Sequence, residues 1–184
     1  MFNKEAERLD TEEHERLQLP RRFWNARLKD LEGKIKDQVQ KYLDKLEENY
    51  HSGYGVFIFG PPRSGKTHIS AILLRALAAH GVWSHWGNVV AIVDRVVKNE
   101  YFGIEEPMPY RQMYQEIDAL VIDSFGRESP AMFNIITNIM QLRYDDNRVT
   151  IINCPLTRDD FADRYGKDEL IRVDKGFNRI ILDF

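Results

Sequence analysis

Cysteine is almost missing from this chain of 184 residues. Cys154 stands alone, so no disulfide can form within the chain, which fits a reducing compartment. Long apolar runs are missing too: no uninterrupted stretch approaches the roughly 18 residues that a membrane span needs. The first residues, MFNKEAERLDTEEHERLQ, are charged throughout and are not expected to act as a secretory signal. There is no excess of positive charge, since 26 Lys and Arg face 29 Asp and Glu for a formal net charge of −3. That balance argues against a surface built to coat nucleic acid, while leaving room for a local basic patch. Repeats and low-complexity tracts are lacking. His14, His51, His68, His80 and His85 show no metal-ligand spacing with Cys154. What remains is a cytoplasmic globular chain, 43% hydrophobic and 30% charged, long enough to bury one sizeable core.

The chain divides into an arm, residues 1–33, and a main domain, residues 34–184. Charged residues dominate the arm up to about residue 19, and Pro20 breaks it. The arm reads as a helical, partner-binding segment with Phe2, Leu9 and Leu17 as contacts, or else as a disordered tail. Ile35, Val39, Tyr42, Leu43 and Leu46 then fall on one helical stripe, which the glycines of HSGYG end. Val56–Phe59, the segment IDALVID and the segment VTIIN are apolar on both faces, as suits parallel strands covered by helices on both sides. A short strand around Trp83–Trp86 and a final one in NRIILDF bring the expected count to five. Helices are expected at Lys66–Ala79, at Val90–Lys98 with Asn88 as cap, over SPAMFNIITNIMQLRY, and over TRDDFADRYG with Thr157 as cap; FGIEEPMPY reads as a loop. Strands alternating with helices predict an α/β fold with a mostly parallel five-stranded sheet.

Function is most legible in GVFIFGPPRSGKTHIS. Its residues Gly60, Pro61, Pro62, Arg63, Ser64, Gly65, Lys66 and Thr67 match the phosphate-binding pattern G-x-x-x-x-G-K-[ST], between an expected strand and an expected helix. Glycines let the backbone approach a phosphate, whose charge the N–H groups and the helix N-terminus meet. Lys66 offers a point charge to the β and γ phosphates of ATP, and Thr67 a hydroxyl to Mg²⁺. His68 follows at the mouth of the loop. Asp123 closes a buried strand, where a carboxylate can hold Mg²⁺ through its water shell or else serve as a turn former. Water activation for hydrolysis would need a further group. Ser124, the next residue, cannot act as a base at neutral pH. Glu128 is the nearest carboxylate, with a solvated loop residue as its plainer reading.

With these motifs in view, the chain resembles the DnaC/IstB-like branch of the AAA+ ATPases, the bacterial replicative-helicase loaders and related transposition ATPases. LPRRFWNARLKDL resembles the motif ahead of that family's core, GPPRSGKT its GPPGTGKT, LVIDSFGRES its LLIDDLGAE, and IMQLRYDDNRVTIINCPLTRDDFADRYG the helix and strand that follow. The resemblance covers residues 19–175. It implies a RecA-like P-loop core that binds ATP and Mg²⁺, assembles on itself in an ATP-dependent way or on a replicative DNA helicase, and takes an arginine finger from a neighbour. By motif that finger is Arg172 in DELIRV; a surface salt bridge is its plain alternative.

Four departures from the family pattern stand out. Arg63 replaces a glycine at a variable position. Ser124 replaces an acidic residue. Pro155 occupies the place of a γ-phosphate-sensing asparagine, leaving Asn153 as the candidate substitute. The chain closes straight after the last strand, so the helical lid is not expected. Only about 18 residues precede the first family motif. A binding module that does not hydrolyse ATP is therefore a second reading; a small-molecule kinase is a third, weakened by the want of an arginine-rich lid segment. Arg95, Lys98 and Arg111 are candidates for a single-stranded DNA path or a solvated helix face. Trp83, Trp86 and Tyr101 read as core or subpocket residues.

Overall fold

The three apolar runs expected to be buried strands form the centre of one sheet in the computed structural model, which describes residues 9–103 and 108–182. The strands are β1 (Gly55–Phe59), β2 (Ser84–Asn88), β3 (Ala119–Asp123), β4 (Val149–Cys154) and β5 (Phe177–Ile181). All pair in parallel, in the order β2–β3–β4–β1–β5. Every residue of β1 and β4 is buried, because helices cover both faces.

Strand periodicity divides the core in two. Val56, Ile58, Val121 and Ile151 point to one face and pack with Val39 and Tyr42 of α2 (Gly33–Asp44) and with Leu73 and Leu77 of α4 (Lys66–Ala79). Phe57, Phe59, Leu120, Ile122 and Ile152 point to the other. There they meet α5 (Val89–Phe102), α6 (Tyr110–Glu116), α7 (Phe133–Asp145), α8 (Arg158–Tyr165) and α9 (Lys167–Gly176). The remaining helices are the short α1 (Thr11–Arg16) and α3 (Leu46–His51).

The arm is tied to the first face. Asp10 and Glu13 form a reciprocal capping box on α1, and Leu17, Leu19 and Ala26 are buried in the same core as α4. Arg75 of α4 donates to Ala26 O at 2.5 Å and to His14 Nε2 at 3.2 Å, and Trp86 N donates to Leu17 O at 2.8 Å. Phe2 lies outside the described residues, as does part of the expected loop FGIEEPMPY.

Several expectations hold at the residue level. Lys66–Ala79 is the observed α4, Asn88 caps α5 by accepting from Val90 N, and Thr157 caps α8 by accepting from Asp160 N. Two helices, α6 and α9, were not expected, since each is short and presents few inward apolar residues: Tyr114 is the buried residue of one and Val173 of the other. The helix expected over SPAMFNIITNIMQLRY opens with a 3₁₀ turn at Pro130–Met132, and α7 begins at Phe133. Of the aromatics expected inside, only Trp86 is buried; Trp83 is 44% and Tyr101 77% exposed. Tyr101 falls off the inward stripe of α5 (Val89, Ile92, Val93, Val96), and Trp83 precedes the edge strand β2. Lys98 pairs with Asp94, and Arg111 with Glu100, on the helix surface.

Arg143 is the unusual core residue. It is 0% exposed on α7, yet its guanidinium donates to the carbonyls of Tyr114 (2.9 Å), Ile117 (2.5 Å) and Val149 (2.6 Å) and to Thr150 Oγ1 (3.0 Å). Burial pulls its pKa well below that of a free guanidinium. It thereby stitches the end of α6, the start of β3 and β4 into one unit. Arg143→Met is expected to lower stability by about 3 kcal/mol or more, because it orphans several buried carbonyls at once. Arg148→Ala, removing a partly exposed partner of Asp118, should cost about 1 kcal/mol or less. Urea denaturation of both variants measures the difference.

Candidate nucleotide-binding site

The loop between β1 and α4 is shaped by two glycines. A Cβ on Gly60 would lie 2.7 Å from Leu182 Cβ and 2.8 Å from Ser64 Oγ, so a side chain there would force the loop open. Gly65, the residue before α4, has φ 98°, a left-handed value that suits glycine. The loop is fixed below by Gly60 N donating to Cys154 O at 3.2 Å, and it turns through Ser64 N donating to Pro61 O at 3.3 Å. No side chain caps the N-terminus of α4. Its first N–H groups, from Lys66 on, have no carbonyl one turn back within the helix and present positive charge to the crevice.

Lys66 is 9% exposed and lies along the loop. Its ammonium donates to Gly60 O at 2.7 Å and Pro61 O at 2.6 Å, with Ser64 Oγ at 3.4 Å. Burial lowers its pKa, Asp123 opposes that shift, and Arg127 adds to it. Thr67 follows on the first turn of α4, partly buried; Pro62 and Arg63 are exposed at the loop tip.

A chain of hydrogen bonds links this helix to Asp123. Ser70, one turn after Lys66, places its hydroxyl 2.5 Å from Asn153 Oδ1 and 3.1 Å from Lys66 O. Asn153 Nδ2 donates to Asp123 Oδ1 at 2.8 Å. Ser70 and Asn153 are both fully buried. Asn153 thus spends its amide nitrogen on Asp123 and its amide oxygen on Ser70. Ser70 was missed in the sequence, although its place one turn beyond Lys66 was a usable signal.

Glu128 is not a solvated loop residue. It is 2% exposed, and its carboxylate accepts from Gly126 N at 2.8 Å and from the Tyr165 hydroxyl, with Arg164 at 3.6 Å. Burial and the Glu128 charge together push the Tyr165 phenol well above its usual pKa. Arg172 sits apart on α9, ion-paired with Glu169 at 3.0 Å, on the rim of an apolar groove lined by Phe133, Met140 and Tyr165. Cys154, beneath the loop, has its thiol pushed up to about 12 by burial.

Beside the loop lies a cleft of about 490 Å³, walled by Asp30, Glu32 and Ile35 on one side and by Gly65, His68 and Leu182 on the other. His68 Nε2 lies 3.4 Å from Asp30 Oδ2, and its ring meets Phe23 edge-on. The donor set fits a magnesium-bound nucleotide: backbone N–H groups and an ammonium for phosphate, hard oxygens from Thr67 and Asp123 for the ion, and an adjoining cleft of ligand size. Among the described residues there is no cluster of three or more His, Cys, Asp or Glu that could hold a metal by itself, and no helix is long and apolar enough to cross a membrane.

Solved structures share this arrangement of strands and helices. The DnaC helicase loader matches with a TM-score of 0.73 at 20% identity, covering 89% of this chain and 99% of the other. DnaI gives 0.71 at 16% identity, covering 89% and 94%. The replication initiator DnaA, bound to AMPPCP and single-stranded DNA, gives 0.71 at 17% identity over 90% of this chain and 51% of its own. The amino-acid sequence matches no known family profile and no curated protein. The chain shares its fold with the solved structures of the DnaC helicase loader, DnaI and the replication initiator DnaA.

The Ser70–Asn153–Asp123 chain has a direct test. Asn153→Ala is expected to cost about 1–3 kcal/mol by taking the amide partner from Asp123 and from Ser70, whose hydroxyl keeps only Lys66 O, and Ser70→Ala about 1 kcal/mol. Because the residues share one network, the double variant should cost less than the sum, with a coupling of about 0.5 kcal/mol or more. Additivity in urea titrations would show that the three groups act independently.

Proposed function

We propose that this chain binds Mg²⁺-ATP at Gly60–Thr67 and uses the bound state to act on a partner in DNA replication, a replicative DNA helicase. The observation that carries the reading is the juxtaposition of an uncapped α4 N-terminus, Lys66 and a carboxylate, Asp123, oriented from within the core. In this reading the loop N–H groups and Lys66 bind the phosphates, and Lys66 exchanges its contacts with Gly60 O and Pro61 O for phosphate oxygens. Thr67 and Asp123 hold Mg²⁺, which when bound neutralises phosphate charge. The cleft lined by Glu32, Ile35, Gly65 and Leu182 takes the base and sugar, and the His68–Asp30 contact forms part of its wall. The helicase partner is inferred by analogy with DnaC, and single-stranded DNA by analogy with DnaA. A cytoplasmic location follows from the same reading.

Lys66→Ala is expected to remove most affinity for ATP while leaving the fold intact, since it deletes the point charge and nothing that packs the sheet. Titration with a fluorescent ATP analogue checks this, and undiminished binding would overturn the reading.

A specific observation favours slow turnover. Ser124 stands next to Asp123 with φ 63°, and Glu128 is occupied by Gly126, Tyr165 and Arg164. Neither of the two candidates, Ser124 and Glu128, is therefore available to orient water beside Asp123. Turnover by the isolated protein should fall well below the roughly 10 per second typical of enzymes. If Arg172 acts across an interface between copies, mixing Arg172→Ala with Lys66→Ala protein should restore activity. A trans arginine can contribute roughly 10³ to 10⁵ in phosphoryl transfer. Absence of rescue, with a monomer in sedimentation runs containing ATP, would exclude self-assembly and leave the helicase as the sole partner to test.

A further inference from the structure

We infer that Arg127 is the residue by which this chain tells a nucleoside triphosphate from a diphosphate, gripping the terminal phosphate from within the same chain. The inference rests on the nucleotide reading above and adds to it a residue, a phosphate and a selectivity.

The backbone around Arg127 is pinned on both sides. Before it, Phe125 is 1% exposed and its N–H donates to Asn153 O at 2.9 Å. After it, Glu128 is 2% exposed and held by Gly126 N and Tyr165. Between these anchors the chain reverses sharply: Ser124 adopts a left-handed φ of 63°, and Arg127 N donates to Ser124 O at 3.1 Å. A non-glycine residue in that region costs energy that only its surroundings can hold. The turn therefore holds the backbone of Arg127, four residues after Asp123 in the sequence, just beyond the carboxyl end of β3, with its side chain exposed.

Its charge is uncompensated. Seven arginines follow β3 in the sequence, and six have acceptors. Arg143 is buried among carbonyls, Arg148 pairs with Asp118, Arg158 and Arg179 share Asp174, Arg164 binds Glu128, and Arg172 pairs with Glu169. Arg127 has no ion pair or side-chain hydrogen bond among the described residues. The Arg127 charge acts on Lys66, helping burial to lower its pKa, while Asp123 opposes that shift. Two cations against one carboxylate make a site that gains from an anion.

The terminal phosphate is the candidate ligand, because the loop's backbone donors serve the inner ones. In a phosphate loop the backbone donors surround the inner phosphates, while the group beside the strand-end aspartate looks toward the outermost one. The neighbouring strand offers that phosphate little: Asn153 is committed to Asp123 and Ser70, and Pro155 has no N–H to give. A guanidinium meets phosphate oxygens through two parallel hydrogen bonds, which an ammonium cannot reproduce.

The test is a set of equilibrium titrations with a non-hydrolysable ATP analogue and with ADP, both with Mg²⁺, on the wild type, Arg127→Ala, Arg127→Lys and Lys66→Ala. Arg127→Ala should weaken the triphosphate analogue by about 10- to 100-fold and ADP by no more than about 3-fold. Arg127→Lys should recover part of the difference, and Lys66→Ala should weaken both nucleotides. Retained ADP binding certifies that Arg127→Ala is folded. An unchanged preference between the two nucleotides in Arg127→Ala overturns the role of Arg127 while leaving the nucleotide site standing. Failure of the wild type to bind either nucleotide overturns both.

Discussion

The position of β4 between β1 and β3 is the constraint on which the site depends. Parallel pairing sets Ile58 beside Asn153 and Ile122 beside Ile152, so the carboxyl ends of all three strands open on one edge. The phosphate loop leaves β1 and Asp123 ends β3, one strand apart. Asn153 on the strand between them reaches Asp123 with its amide N–H and Ser70 of α4 with its amide oxygen. A slip of one residue in β4 would turn Asn153 to the opposite face and bring an apolar side chain to the Asp123 carboxylate. Register and site are thus one fact.

Two buried charged groups, Arg143 and Glu128, hold elements together. Arg143 collects carbonyls at the end of α6, the start of β3 and β4, and Glu128 fastens the turn after β3 to α8. Each would be costly if left unpaired, and each is surrounded by donors or acceptors of the right kind. Glu128 and its partners also lie between Asp123 and the helix pair that carries Arg172. The same interaction that fixes the turn ties the segment after Asp123 to α8.

Much of this was legible in the chain itself. The doubly apolar runs around Val56, Leu120 and Ile151 fixed three strands, because only burial on both faces tolerates such runs. Gly60, Gly65, Lys66 and Thr67 located the loop, since few sequences satisfy so local a pattern by accident. The short helices α6 and α9 escaped notice for the converse reason: a helix of two or three turns with a single deeply buried residue carries almost no periodic signal. Trp83 and Tyr101 were expected as core or subpocket residues, and their exposure reflects an edge strand and the off-stripe face of α5.

By itself the sequence determined the strand–loop–helix that can surround a phosphate, because the loop's chemistry is local and its residues are contiguous. It also determined the parallel α/β class, through the alternation of apolar runs and helical stripes. Only the tertiary structure decided the fates of the polar residues that follow β3 and β4. Asn153 turned to Asp123, Glu128 was taken up by Tyr165 and Arg164, and Arg127 was left without a side-chain partner among the described residues. Those outcomes depend on groups 30 or more residues apart meeting across the sheet, as Asn153 does with Asp123 and Tyr165 with Glu128. No local pattern encodes such meetings, since strand order and register are set by the packing of the whole core.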